Sequence, residues 1–274
     1  MHLDDRQLAM LCEMGIRVWP LGVPEPVSAH AAPVLQSKTE GVAGGVASHP
    51  VAFARPDAVA PAQEASSAPN AAHTGHRPAG VQTMGWDALR ESARACTACR
   101  LCEGRKQAVF GTGSTQAQWL VVGEAPGEQE DLQGEPFVGK SGQLLDAMLR
   151  SIGLTRGDAA PPHQVYIANT IKCRPPANRN PQPDELAQCE PFLIRQLELL
   201  QPRIILAMGR FAVQSLLRSN EPVGRLRGRV HRYQGVPLIV TYHPAYLLRN
   251  PEDKARAWDD LCLAVETALA APPR

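Results

Sequence analysis

The sequence predicts an α/β fold, a three-layer α/β/α arrangement around a central, mainly parallel four-stranded sheet, preceded by a disordered N-terminal extension. Three observations predict it. From residue 86 onward short apolar runs alternate with helical patterns, the signature of strands connected by helices on both sheet faces. Eleven of the thirteen aromatic residues lie at or beyond that point, so the large core-building side chains sit there. Residues 20–85, a mixture of Pro, Ala, Gly and Ser, show no sustained helical or alternating period.

In chain order, residues 1–19 come first. Leu8, Leu11 and Met14 fall on one helical stripe that runs into Ile16, Val18 and Trp19, which predicts a short amphipathic helix. Such a helix can lie on the protein's own surface or dock a protein partner, and the sequence favours neither. Residues 20–85 bury too little apolar surface to offset the entropy of ordering their backbone and read as a disordered linker. Residues 86–274 form the folded domain. Its strand candidates are WLVVGE (119–124), QVYIANTIK (164–172), RIILAMG (203–209) and PLIVTYH (237–243). Their consecutive apolar residues imply strands covered on both faces. Helices are expected in GQLLDAMLRSIGL, PDELAQCEPFLIRQLELL, GRFAVQSLLRS and PEDKARAWDDLCLAVETALA. The second opens on Pro183 and places Leu186, Cys189, Leu193, Leu197 and Leu200 on one stripe, so Cys189 points inward.

No stretch approaches the length of a membrane span, and the acidic start lacks the pattern of a secretory signal. A cytoplasmic protein is expected, without membrane association and monomeric. In that reducing compartment seven cysteines argue for metal or catalysis before disulfides. Net charge is +1, yet GRLRGRVHR gathers Arg225, Arg227, Arg229 and Arg232 around His231. The run is either a solvated face or a surface that follows phosphates.

Cys96, Cys99 and Cys102 stand at three-residue intervals, while Cys173 and Cys189 follow in a loop and an inward helix face. A C-x2-C pair lets two thiolates reach one metal centre, and distant residues complete the site. Zinc and a [4Fe-4S] cluster both accept four thiolates, and spacing does not separate them. Cys12 and Cys262 read as small buried hydrophobes. Ligands of parallel sheets bind beyond the carboxyl ends of the strands. Here those ends read GEAPGEQED, NTIKCRPPANRNP, GRFA and YHPAYLLR, of which three are loaded with polar or special residues.

The segments CTACRLCEGR, VVGEAPGEQEDLQGEPFVGKSGQLL, YIANTIKCRPPANRNPQPDE and YHPAYLLRNP, in this order and spacing, resemble the family 4 uracil-DNA glycosylases, the iron-sulfur branch of their superfamily. The resemblance covers about residues 86–270 and does not extend to the first 85. It implies a [4Fe-4S] cluster on Cys96, Cys99, Cys173 and Cys189, and requires no ligand at Cys102. It implies uracil-containing DNA as substrate, with Phe137 stacked on a flipped uracil and Asn169 reading its edge. An amide suits that task, since it accepts from N3–H and donates to O4, whereas cytosine presents the opposite pattern.

On the same reading Gly123 shapes the tight loop after the first strand, and Glu124 faces the positive charge that builds on the sugar as the base departs. Glu130, by its place in the loop, would crowd the C5 position and refuse thymine. His243 would donate to uracil O2 as negative charge develops there. Leu247 and Leu248 would enter the base stack, with Arg249 near a phosphate and Arg225, Arg227 and Arg229 as a second phosphate surface. The expected reaction is simple hydrolysis to an abasic site. The rival readings are a non-catalytic DNA-binding member and a relative that traps DNA through a loop histidine, which RPPANRNPQPDE lacks.

Overall fold

The computed structural model describes Glu13 and residues 75–271. The expectations for a helix in 1–19 and a linker over 20–74 lie outside the described residues, Glu13 apart. The expected boundary at residue 86 is corrected. Val81 opens a 3-10 turn, Val81–Thr83, and is buried with Leu89, Ala93, Phe110 and Phe192. The carbonyl of Met84 accepts from Arg195 Nε at 2.7 Å. Met84 packs on the same cluster, His76 N donates to Thr97 Oγ1 at 3.0 Å while its carbonyl accepts from Thr97 N at 2.9 Å, and Arg77 Nη1 donates to the Gln188 carbonyl at 2.9 Å. These partners lie far along the chain, so no local pattern in a Pro- and Gly-rich composition marks them.

Helix α1 (Trp86–Ala95) leads through the first cysteines to the short α2 (Leu101–Gly104). Strands β1 (Thr112–Gly113) and β2 (Trp119–Gly123) precede α3 (Glu128–Gln133) and α4 (Lys140–Ser151). Then come β3 (Val165–Asn169), α5 (Pro183–Leu200), β4 (Ile204–Met208), α6 (Arg210–Leu217) and α7 (Val223–Leu226). Strands β5 (Val230–Tyr233) and β6 (Val236–Thr241), then α8 (Pro244–Arg249) and α9 (Lys254–Ala270), complete the described residues.

The sheet has six strands in the order β1-β3-β2-β4-β6-β5. Its four central strands are the expected ones, and all are parallel. The four-stranded expectation lacks the two antiparallel edges, β1 on β3 and β5 on β6. Both are hard to see in sequence for a physical reason: β1 is two residues long, and β5 alternates exposed and half-buried positions within the arginine run.

Alternation along the strands divides the core. Val121, Ile167, Leu206 and Ile239 face α4, α8 and α9, packing with Leu145, Met148, Leu247 and Leu261. Leu120, Val122, Ala168, Ala207 and Val240 face α5 and α6, packing with Leu193, Leu197 and Val213. Cys189 packs on the inner side of α5 as its spacing predicts. No helix among the described residues is long and apolar enough to cross a membrane.

Candidate active site

The carboxyl ends of β2, β3, β4 and β6 open into a cleft of about 1130 Å³ lined by Glu124, Phe137, Asn169, Arg210 and His243 among others. The parallel register sets Gly123 beside Asn169. A Cβ on Gly123 would stand 2.5 Å from Asn169 Oδ1 and 2.6 Å from Phe137 Cζ. Only a residue without a side chain lets the amide and the ring meet over the end of β2.

Phe137 holds a left-handed backbone, φ 56°, which costs a non-glycine residue energy and needs neighbours to impose it. Those neighbours are present. Glu130 Oε1 accepts from Val138 N at 3.0 Å and Gly139 N at 3.2 Å, and Oε2 accepts from Gly127 N at 3.1 Å. Arg156 Nη1 donates to the Pro136 carbonyl at 2.8 Å. A Cβ on Gly142 would overlap the Phe137 carbonyl, so α4 starts directly against the ring's backbone. Glu130, expected to crowd the C5 position of a base, thus also has a task in the loop itself. Although it lines the cleft, both its oxygens are engaged in folding the loop that presents Phe137.

The Phe137 ring stacks on the His243 imidazole, centroids 5.3 Å apart at 28°. His243 caps α8, and its Nδ1 accepts from Ala245 N at 3.2 Å. In the neutral ring the proton therefore sits on Nε2, which is left to donate. Burial, with Arg249 nearby, pulls the imidazole pKa down to about 4, so the neutral form prevails at physiological pH. Asn169 is 2% exposed and its Oδ1 has no hydrogen-bond partner. A buried acceptor left empty at the floor of a cleft is poised for a ligand's donor. Burial raises the Glu124 carboxyl above the usual range while the Arg210 guanidinium opposes the shift. Arg210 went unremarked in the sequence because GRFA is the least decorated of the four strand ends; a charged residue directly after a strand-end glycine was the available signal.

The remaining expectations divide. Arg249 is exposed and lines the cleft, and Leu248 is 45% exposed. Leu247 is fully buried in the core below α8, so its expected entry into a base stack is corrected: spacing cannot tell which of two adjacent leucines faces inward. Arg225 and Arg229 are exposed. Arg227 is corrected as a phosphate contact. Its Nε donates to Asp260 Oδ2 at 3.0 Å, and its Nη2 donates to the Arg256 carbonyl. Asp260 is fully buried, so Arg227 compensates a core charge.

Beside this cleft Cys96, Cys99, Cys102, Cys173 and Cys189 line one small cavity. Arg105 Nη1 donates to Cys173 Sγ at 2.9 Å and Lys172 N donates to Cys189 Sγ at 3.2 Å. Burial pushes the Cys99 thiol up to about 11 and the Cys189 thiol to about 12. Such thiols ionise only with positive charge among them, which a metal centre provides. Among the described residues no three His, Cys, Asp or Glu side chains close around a point as ligands of one ion do. A four-iron cluster spreads its thiolates over a larger body, and donors directed at sulfur suit thiolate ligands. The residues fit a cluster. Cys102 faces the same cavity, which leaves five thiols for four ligand positions.

The model of the uracil DNA glycosylase superfamily matches residues 110–262. The chain is 39% identical over 196 residues to the type-4 uracil-DNA glycosylase of Saccharolobus solfataricus, covering 68% of this chain and 88% of that protein. It is 42% identical to the type-4 enzyme of Archaeoglobus fulgidus, covering 61% of this chain and 86% of that one. With the type-4 enzyme of Thermotoga maritima it shares 41% identity, over 61% of this chain and 85% of the relative.

Proposed function

The chain belongs to the uracil DNA glycosylase superfamily, and we infer that it removes uracil from DNA by hydrolysing the N-glycosidic bond, leaving an abasic site for repair. The observation that carries the assignment of its working residues is the empty, buried Oδ1 of Asn169 at the floor of the cleft. Uracil N3–H is the donor it lacks, and the same amide's nitrogen donates to O4. Cytosine, with an acceptor at N3 and a donor at C4, meets the amide with both polarities reversed. An extruded base enters with one face on Phe137.

As the bond from the sugar C1′ to N1 breaks, its electron pair passes into the pyrimidine and charge develops on O2. His243, neutral and with its proton on Nε2, donates there without giving up that proton. The sugar gains positive charge, which the Glu124 carboxylate stabilises from the end of β2. Water adds to C1′, its proton passes to the carboxylate or to solvent, and the released uracil anion takes up a proton. Leu248 and Arg249 suit the DNA-facing roles of wedge and phosphate contact, with Arg225 and Arg229 as exposed outer contacts.

Cys96, Cys99, Cys173 and Cys189 would hold a [4Fe-4S] cluster, a role consistent with a reducing cytoplasm. When bound, it supplies a tie among the segment after α1, the loop after β3 and helix α5. The assay is cleavage of an oligonucleotide with one uracil. Wild-type protein should yield an alkali-labile site at the uracil, and Asn169→Asp should abolish most of it. No alkali-labile site from iron-loaded wild type would overturn the assignment. Iron content separates the thiols: Cys189→Ala should lose iron, whereas loss with Cys102→Ser and retention with Cys189→Ala would exchange their roles.

A further inference from the structure

One buried charge takes no part in this chemistry. Lys172 is 1% exposed, and its Nζ donates to the Asn169 carbonyl at 2.9 Å and to Gln196 Oε1 at 2.6 Å. Gln196, fully buried, is itself fixed through Nε2 to the Phe110 carbonyl at 2.9 Å and the Tyr166 hydroxyl at 3.2 Å. The main chain of Lys172 is fixed as well. Its N–H donates to Cys189 Sγ at 3.2 Å, and its carbonyl accepts from Val109 N at 2.7 Å. The residue therefore touches the cysteine corner with its backbone and the base-reading residue with its side chain.

Asn169 needs such a hold. It is the last residue of β3, after which Thr170 N turns to the Gly123 carbonyl and Ile171 N to the Glu124 carbonyl. At this departure from the ladder, the orientation of the peptide after Asn169 sets the backbone angle from which its amide projects. The Lys172 ammonium grips the oxygen of that peptide. Its other acceptor, Gln196, belongs to α5, the helix that also carries Cys189.

We propose that Lys172 is a positioning residue for uracil recognition, tying the Asn169 carbonyl to the cysteine-bearing helix so that the Asn169 amide is held in register for the base. The inference rests on the reading of Asn169 given above. It separates two consequences of damage at this place: lost folding, which affects every ligand, and lost alignment, which affects only ligands that engage the amide.

The test is Lys172→Met in the full chain, with iron content and melting temperature measured first. Two affinities are then compared, one for free uracil and one for a duplex carrying a tetrahydrofuran abasic-site analogue, which offers the amide no base. A charge-assisted hydrogen bond removed from a buried carbonyl should weaken uracil binding about tenfold or more, with the abasic duplex bound within about twofold of wild type. Lys172→Gln, keeping a shorter neutral donor, should fall between and serves if the methionine variant does not fold. Leu149→Ala, in the opposite core, controls for stability: it should lower the melting temperature while leaving uracil affinity unchanged. Equal uracil affinity in the Lys172 variants and wild type, or equal weakening for both ligands, overturns the proposal. Wild-type protein that neither binds uracil nor cleaves the uracil oligonucleotide would instead overturn the function itself.

Discussion

Replacing Gly123 by alanine is the most direct probe of the cleft. The added methyl would lie 2.5 Å from Asn169 Oδ1 and 2.6 and 2.8 Å from two carbons of the Phe137 ring. Ordinary contact begins at 3.4 Å, so the amide and the ring must each retreat by about 0.6 to 0.9 Å. Neither can do so freely. Phe137 is pinned by Glu130, Arg156 and the start of α4, and Asn169 by Lys172. A displacement approaching 1 Å in a positioning group can cost on the order of 10²-fold in rate. The expected result for Gly123→Ala is a fall of about that size in kcat/KM on a single-uracil oligonucleotide, with iron content retained. Because Gly123 has an ordinary backbone conformation, the clash and not backbone strain accounts for the effect. A correctly folded variant with wild-type kcat/KM would refute the placement of Asn169 and Phe137 over the end of β2.

Other perturbations test neighbouring groups. His243→Gln should lower kcat by roughly 10²- to 10³-fold, the usual effect of removing one donor to a developing anion, while KM changes little. His243 also makes stability depend on pH. Its native pKa of about 4 lies below the ordinary 6.5, so above pH 6.5 it contributes no pH dependence. Between pH 6.5 and 4 the unfolded state takes up a proton that the native state refuses, and stability falls by up to about 3 kcal/mol. Denaturation across that range should show a shallower decline for the glutamine variant. Arg210→Met removes the charge that opposes burial at Glu124, so the acid limb of kcat/KM against pH should move to higher pH; an unmoved limb would separate Arg210 from Glu124. Leu247→Ala should cost about 2–5 kcal/mol of stability as a core truncation. Leu248→Ala should leave stability nearly unchanged yet lower excision from duplex DNA, and the reverse pattern would exchange their roles.

Much of this was legible because the relevant signals are local or periodic. Consecutive apolar residues in WLVVG, VYIAN, IILAM and VPLIVT foretell strands covered on both sides, and the four parallel strands appear where those runs are. Helical spacing turns Cys189 inward, where it packs against the clusters of Phe192 and Ile171. Four motifs in order carry the family resemblance, and with it the gathering of Glu124, Phe137, Asn169 and His243 around one cleft.

What tertiary structure decided concerns direction and partnership, which depend on residues distant in the chain. Arg227 looks like its neighbours Arg225 and Arg229 until α9 brings Asp260 beneath it. Leu247 and Leu248 are equivalent in composition, and only the packing of α8 buries one and exposes the other. Glu130 carries a carboxylate next to the site, but the fold of its loop directs both oxygens to backbone N–H groups. Lys172 shows the point most fully: in sequence it is one lysine before a cysteine, and only the closure of α5 against β3 surrounds its ammonium with the Asn169 carbonyl and Gln196. Sequence alone determined which residue types reach the sheet's carboxyl edge, since strand ends are set by local patterns. Packing decided which of them face the cleft, because burial and hydrogen-bond partners are properties of the assembled layers.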